Sequence, residues 1–193
     1  TEDILLMAGV GEDEEEVLTA PLWRNVLLRL PWLFAAWIGG VMAAGVIEHF
    51  EDLLLQMIVL ALFIPIIVGM GGNVGTQAAT IVVRGMATGR LVTGQRMVTV
   101  FRELRVALTL GIVFGALLGV TVYFRTPEVP ALAVVVALSL VSCMVLAASV
   151  GASTPILLKR FGVDPAIATG PFVTTAIDVL GIIAYFSIAS LLV

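Results

Sequence analysis

The chain has 193 residues and a formal net charge of −4; 60% of its residues are hydrophobic and 12% are charged. Its mean hydropathy is +1.14, whereas water-soluble domains contain about 45–50% apolar and about 25% charged residues. This composition excludes a water-soluble domain and indicates a membrane protein.

The amino-terminal twenty residues form a separate polar piece. The chain begins at Thr1, without a methionine or a signal peptide, so we expect it to be a piece of a longer protein. Residues 12–16 are all acidic. Such a run is typical of a solvated linker or the start of a helix, and a cation sensor is the alternative.

Five apolar segments follow, at residues 32–47, 53–83, 106–124, 131–158 and 166–193. A helix of about 20 such residues crosses a bilayer. The segments are too long and too evenly apolar for the alternating strands of a membrane barrel. The sequence therefore predicts an all-α, polytopic membrane protein with five transmembrane helices in residues 31–193.

The second segment contains proline and several glycines among polar residues. Proline removes a backbone hydrogen-bond donor, so we predict a kinked or thinned helix whose carbonyl oxygens face a pore. Close helix packing is the alternative, and it suits Gly71 and Gly75. Packing alone does not require Asn73, so we predict that Gly71 and Asn73 belong to an ion pathway. The residues concerned are Pro65, Gly69, Gly71, Gly72, Asn73, Gly75, Thr76 and Gln77.

Between the second and third segments, residues 90–104 have the spacing of an amphipathic helix that lies in the membrane interface and leads into the third span. Basic residues cluster at this side of the membrane, which the positive-inside rule assigns to the cytoplasm. The amino terminus is therefore predicted to be cytoplasmic and the carboxyl terminus to be outside. The outer loops hold Glu48, Glu51, Asp52 and Glu128, which either attract cations or are simply solvated.

Asp178 lies near the middle of the last segment. A carboxylate at that depth costs at least about 2.5–3.5 kcal/mol, so it is by default a functional-site hypothesis with a cation as partner. Helical spacing places small and polar residues on its side: Gly170, Pro171, Thr174, Thr175, Gly181 and Tyr185. A hydrogen-bonded contact between helices is the alternative reading of this stripe.

Two blocks of the sequence resemble the signature of the MgtE family of magnesium channels. The first is residues 65–80, with Gly-Met-Gly-Gly-Asn-Val-Gly-Thr-Gln at its centre, followed by Arg-Gly-Met-Ala-Thr-Gly at 84–89. The second is residues 162–178, which run from Gly-Val-Asp-Pro to Asp178. The resemblance covers essentially the whole membrane portion of the chain.

This resemblance implies a homodimer with a pore on its two-fold axis, lined mainly by the second and fifth helices. It implies that Asp178 of both subunits holds a largely hydrated Mg²⁺, and it implicates backbone oxygens of Gly170, Thr174 and Gly181. It also assigns Asp164 to an inner metal site, where a helix cap ahead of Pro165 is the alternative. Mg²⁺ suits such a site because it retains several waters and binds one or two carboxylates.

The resemblance further implies cytoplasmic amino-terminal and CBS domains that sense Mg²⁺. Residues 1–9 resemble the end of a CBS domain, which makes the rest of 1–30 a linker or connecting helix. Mn²⁺, Co²⁺ and Ni²⁺ remain open as further ions.

We interpret the chain as a Mg²⁺ channel of the bacterial inner membrane. The alternatives are a proton- or sodium-coupled divalent cation transporter and a membrane scaffold. No His/Cys cluster, nucleotide loop or nucleophile arrangement predicts an enzyme, and no nucleic acid is expected as a partner.

Overall fold

A computed structural model describes residues 21–91, 94, 96–166 and 170–193. The acidic run at 12–16 and the CBS-like residues 1–9 lie outside this part. The described residues form helices and no strands. These are α1 (Leu22–His49), α2 (Glu51–Gln56), a 3-10 helix (Ile58–Phe63), α3 (Ile64–Ala87), α4 (Arg96–Arg125), α5 (Pro130–Arg160) and α6 (Pro171–Leu192).

The prediction of five transmembrane helices is confirmed. In the described residues five helical stretches are long and apolar enough to cross a membrane: α1, the 3-10 helix together with α3, α4, α5 and α6. In lipid a helix satisfies its backbone hydrogen bonds within its own segment, so length and apolar composition suffice to specify it. α1 begins at Leu22, ahead of the predicted span, and continues through Pro31.

The second predicted span is not one uninterrupted helix, but its glycine block lies within a continuous helix. The helical conformation is interrupted at Met57 (φ −138°, ψ 71°), just ahead of the 3-10 helix. From Ile64 to Ala87, α3 is continuous. Pro65 lies in the first turn, where its missing N–H is not required. Pro65 thus starts α3 and does not interrupt it, and of the predicted kinked or thinned helix the structure shows a continuous helix in which Gly71 and Gly75 pack closely against their neighbours.

In its described residues, the predicted amphipathic segment 90–104 forms no helix separate from the third span. From Arg96 onward it forms the first turns of α4, which continues without a break to Arg125. The exposed apolar side chains in these turns include Met97, Val98 and Phe101.

α5 is the central helix of the bundle, and it contacts α3, α4 and α6. α4 packs on α5 through three glycines spaced four residues apart. A Cβ atom would lie 3.1 Å from the Val141 Cα atom at Gly111, 2.8 Å from the Ala137 carbonyl oxygen at Gly115 and 3.1 Å from the Ala133 carbonyl oxygen at Gly119. The spacing is the small-xxx-small pattern of close packing in membranes.

The 3-10 helix is fixed against the carboxyl-terminal half of α6. The Tyr185 hydroxyl donates a hydrogen bond to the Leu60 carbonyl oxygen at 2.8 Å. The rings of Phe50 and Phe186 stack with centroids 5.2 Å apart. These contacts fix the carboxyl-terminal half of α6 in the bundle.

Candidate functional site

Asp178 lies about two turns into α6 and is half-buried. Within the part of the chain that the structure describes, its carboxylate has no hydrogen-bond or ion-pair partner. A carboxylate in hydrocarbon is normally paired. Asp178 can therefore accept hydrogen bonds from a hydrated cation without first giving up a contact within the chain.

The neighbouring residue, Ile177, attaches α6 to α3. Its buried side chain occupies the position where a Cβ atom on Gly75 would be, and its Cγ2 atom lies 3.3 Å from the position of a Cβ atom on Gly71. On the other side of α6, the Thr175 side chain fills the space next to Gly39 of α1. Successive residues on a helix are separated by about 100°. Asp178 therefore points between the contact with α3 and the contact with α1.

This direction is away from the apolar outer side of α6. Exposed large side chains on that side are Phe172, Leu180 and Ile183. Helical spacing likewise places Phe172 and Ile183 opposite Asp178. The carboxylate is thus set on the side of α6 that faces other helices.

The predicted stripe around Asp178 does not form one continuous polar surface. Thr175 contacts α1, Gly181 is buried against α5, and Tyr185 is bonded to the 3-10 helix. For these three residues the structure shows contacts with other helices, which was the alternative reading of the stripe. Residues three, four, seven and eight positions from Asp178 spread over a wide arc of the helix surface. Three different elements, α1, α5 and the 3-10 helix, pack against the edges of this arc.

Two of the predicted residues mark the accessible start of α6. Gly170 is the residue that precedes the helix, and its carbonyl oxygen accepts hydrogen bonds from the N–H groups of Val173 (3.2 Å) and Thr174 (3.5 Å). The Thr174 hydroxyl donates to the Pro171 carbonyl oxygen at 3.2 Å. Thr174 is half-buried, on the amino-terminal side of Asp178.

α3 has two different faces. Gly71 and Gly75 are buried against α5 and α6, and the backbone of Gly75 makes close contact with Gly151 of α5. The opposite face carries exposed Asn73 and Gln77, together with Thr76 and Thr80, which are half-buried. An uncovered polar face on an apolar helix is suited to a second subunit or to water and ions.

Asp164 lies in the loop ahead of α6 and is exposed. Its Oδ1 atom accepts a hydrogen bond from the Ala166 backbone N–H at 2.8 Å. An aspartate that bonds the backbone two residues further on is typical of a turn. The structure thus gives Asp164 a local backbone role, well separated along the chain from Asp178.

The described residues contain no group of three or more histidine, cysteine, aspartate or glutamate side chains that could hold a metal ion. Around Asp178 the described part of the chain therefore offers this one carboxylate, together with hydroxyl and carbonyl oxygens. Oxygen ligands with few carboxylates suit a divalent ion such as Mg²⁺ that keeps part of its water shell.

Comparison with known proteins shows which family the chain resembles. The MgtE family, described as "Divalent cation transporter", matches residues 64–188. Three relatives carry the name "Magnesium transporter MgtE". The protein of Thermus thermophilus is 36% identical over 195 residues, which cover 100% of this chain and 42% of the relative. The protein of Bacillus subtilis is 37% identical over 163 residues, which cover 84% of this chain and 36% of the relative. The protein of Enterococcus faecalis is 33% identical over 189 residues, which cover 94% of this chain and 40% of the relative. The chain thus spans about two fifths of the length of these relatives.

Proposed function

This chain belongs to the MgtE family of divalent cation transporters, and on that premise we propose that it forms the membrane pore of a magnesium channel. The channel conducts Mg²⁺ passively, down its electrochemical gradient. Two copies form a homodimer, and the pore follows the two-fold axis between them. α3 and α6 of both subunits line it.

The observation that carries this proposal is the carboxylate of Asp178. It is half-buried in a transmembrane helix, turned away from the apolar outer side of α6, and without a partner in the described chain. Two such carboxylates facing each other across an axis repel, and a divalent cation between them removes the repulsion. The dimer thus supplies the second carboxylate that one chain lacks.

The remaining residues of the site act on the water shell of the ion. Carbonyl oxygens of Gly170, Thr174 and Gly181 accept hydrogen bonds from bound water, as does the side-chain oxygen of Asn73. Gly71 keeps the backbone of α3 close to α6, and Asp164 forms an inner site at the cytoplasmic entrance. Outer-shell contacts of this kind bind weakly enough for the ion to leave, which conduction requires.

We also propose that the chain lies in the bacterial inner membrane, with the start of α1 on the cytoplasmic side. Nine of the ten basic residues lie at the helix ends and loops on that side; the exception is Arg125. By the positive-inside rule, the side that carries the arginines and lysines is cytoplasmic. Five spans then place the end of α6 outside.

Mg²⁺ flux into liposomes tests the proposal. The purified chain is reconstituted into vesicles that contain a Mg²⁺-sensitive dye, and uptake is recorded with no ion gradient other than that of Mg²⁺. A channel takes up Mg²⁺ under these conditions, and a proton or sodium gradient changes the rate only through the membrane potential. Uptake that requires either gradient would instead identify a coupled transporter, and vesicles that take up no Mg²⁺ would contradict transport by this chain.

A further inference from the structure

We propose that the sulfur atom of Cys143 sets the spacing between α3 and α6 and so positions Asp178 in the pore. This role rests on the proposed function, because the pore is what makes the spacing matter. Cys143 belongs to α5, which contributes none of the site residues described above. It therefore acts on the ion through the helices that it holds apart.

Three contacts place this sulfur at the junction of three helices. The Cys143 thiol donates a hydrogen bond to the Ile67 carbonyl oxygen of α3, with a sulfur–oxygen distance of 3.4 Å. A Cβ atom on Gly71 would lie 2.5 Å from the sulfur, and a Cβ atom on Gly181 of α6 would lie 2.8 Å from it. The side chain is completely buried. One atom of α5 thus contacts both of the helices proposed to line the pore.

The packing of α6 against α5 at Gly181 depends directly on the Cys143 sulfur. Apart from the backbone of α6 and the two residues next to Gly181, the sulfur is the only atom of the described part of the chain within 4 Å of a Cβ built at Gly181. Gly181 is less than one turn from Asp178, and Gly71 is two residues from Asn73. A change in the size of residue 143 is therefore transmitted over a short distance to side chains on both pore-lining helices.

There is little free space around the sulfur. Next to it, Ile177, Leu180 and Gly181 line a void that is too narrow for a water molecule. When a buried group is removed, the neighbours relax only partly and a cavity remains. Loss of the sulfur should therefore change the distance between α3 and α6, because the neighbouring groups would move partly into the space that it leaves.

The test compares the half-saturating Mg²⁺ concentration for uptake into liposomes among variants of the protein. Cys143→Ser keeps a small donor for Ile67 and should stay within about twofold of the parent value. Cys143→Ala should raise the half-saturating concentration at least about threefold, and Gly181→Ala should impair uptake because its methyl group meets the sulfur. Combined in one chain, the two changes should fit together, since the new methyl group occupies the space that the sulfur leaves.

The double variant Cys143→Ala/Gly181→Ala is the decisive measurement. A half-saturating concentration closer to the parent value than that of either single variant supports the proposal, and so does a conducting double variant when a single variant fails to assemble. A double variant whose defects simply add, or one that fails to assemble, overturns it. An unchanged half-saturating concentration in Cys143→Ala also overturns it.

Ser139→Ala is the matched control for general effects on the core. Ser139 is one turn from Cys143 on α5, it is completely buried, and its hydroxyl has no hydrogen-bond partner in the described chain. Its truncation should leave the half-saturating concentration unchanged. A shift as large as that of Cys143→Ala would assign the effect to the core in general and overturn the role of the sulfur. If the parent protein itself takes up no Mg²⁺, the proposed function is contradicted, and this result differs from one in which only the variants behave unexpectedly.

Discussion

The side chain of Ile177 on α6 occupies the position where a Cβ atom on Gly75 of α3 would lie. This contact joins the two helices one residue away from Asp178. The glycine block of α3 thus serves as a packing surface for α6 on one side, while Asn73 and Gln77 remain exposed on the other. Both sides of α3 therefore bear on the geometry of the proposed pore.

Gly75→Ala should destabilise the protein by about 1–3 kcal/mol, because overpacking a tight contact forces the neighbours to move. The added methyl group would meet the Ile177 side chain and would lie 3.1 Å from the Ala147 carbonyl oxygen. Unfolding in mild detergent with increasing denaturant measures the difference. Gly40→Ala on α1 is the control, since no atom lies within 4 Å of the added group. Equal stability of the two variants would mean that Gly75 is not a packing residue.

Asp178→Asn should reduce Mg²⁺ uptake at least about tenfold, since the variant keeps the shape of the side chain and loses the charge that holds a divalent cation. Asp178→Ala should behave likewise, and both variants should still assemble. Asp52→Asn, on the exposed start of α2, is the control and should stay within about twofold of the parent rate. Normal uptake by assembled Asp178→Asn would remove Asp178 from the ion pathway.

Tyr185→Phe should lower the free energy of unfolding by about 1–2 kcal/mol, because it leaves the buried Leu60 carbonyl oxygen without its hydrogen bond. The chain has only two tyrosines, and the other provides a matched control. Tyr185 is 1% exposed and Tyr123 is 53% exposed. Thermal unfolding of Tyr123→Phe should match that of the parent. If Tyr185→Phe unfolds at the parent temperature, the hydrogen bond does not hold the 3-10 helix in place.

Asn73→Cys in a Cys143→Ser background should be joined to its partner by a short reagent with two thiol-reactive groups. The proposed dimer brings the polar faces of the two α3 helices toward one axis. The measurement is a band of twice the mass on a denaturing gel after treatment in membranes. Val120→Cys on the exposed apolar side of α4 serves as the control and should stay monomeric. Crosslinking at Val120 and none at Asn73 would place the subunit contact on α4.

How far the sequence alone could go is clearest for α5 and Asp178. A long apolar segment becomes a helix in lipid because its backbone has no other hydrogen-bond partners, so the number and approximate position of the five spans follow from composition. The position of Asp178 within α6 follows in the same way, and the cost of burying a carboxylate makes it a candidate site without any coordinates. The roles of the individual site residues remain predictions.

Only the tertiary structure decided how the glycines and the small residues are used. Whether the glycine block bends or packs depends on Ile177 and Gly151, which are far from Gly75 in the chain. The residues around Asp178 share a helical side, yet α1, α5 and the 3-10 helix each cover a different one of them. A helical repeat fixes the angle at which a side chain leaves its own helix. The neighbour that it meets is set by contacts between distant segments, and local sequence does not specify these.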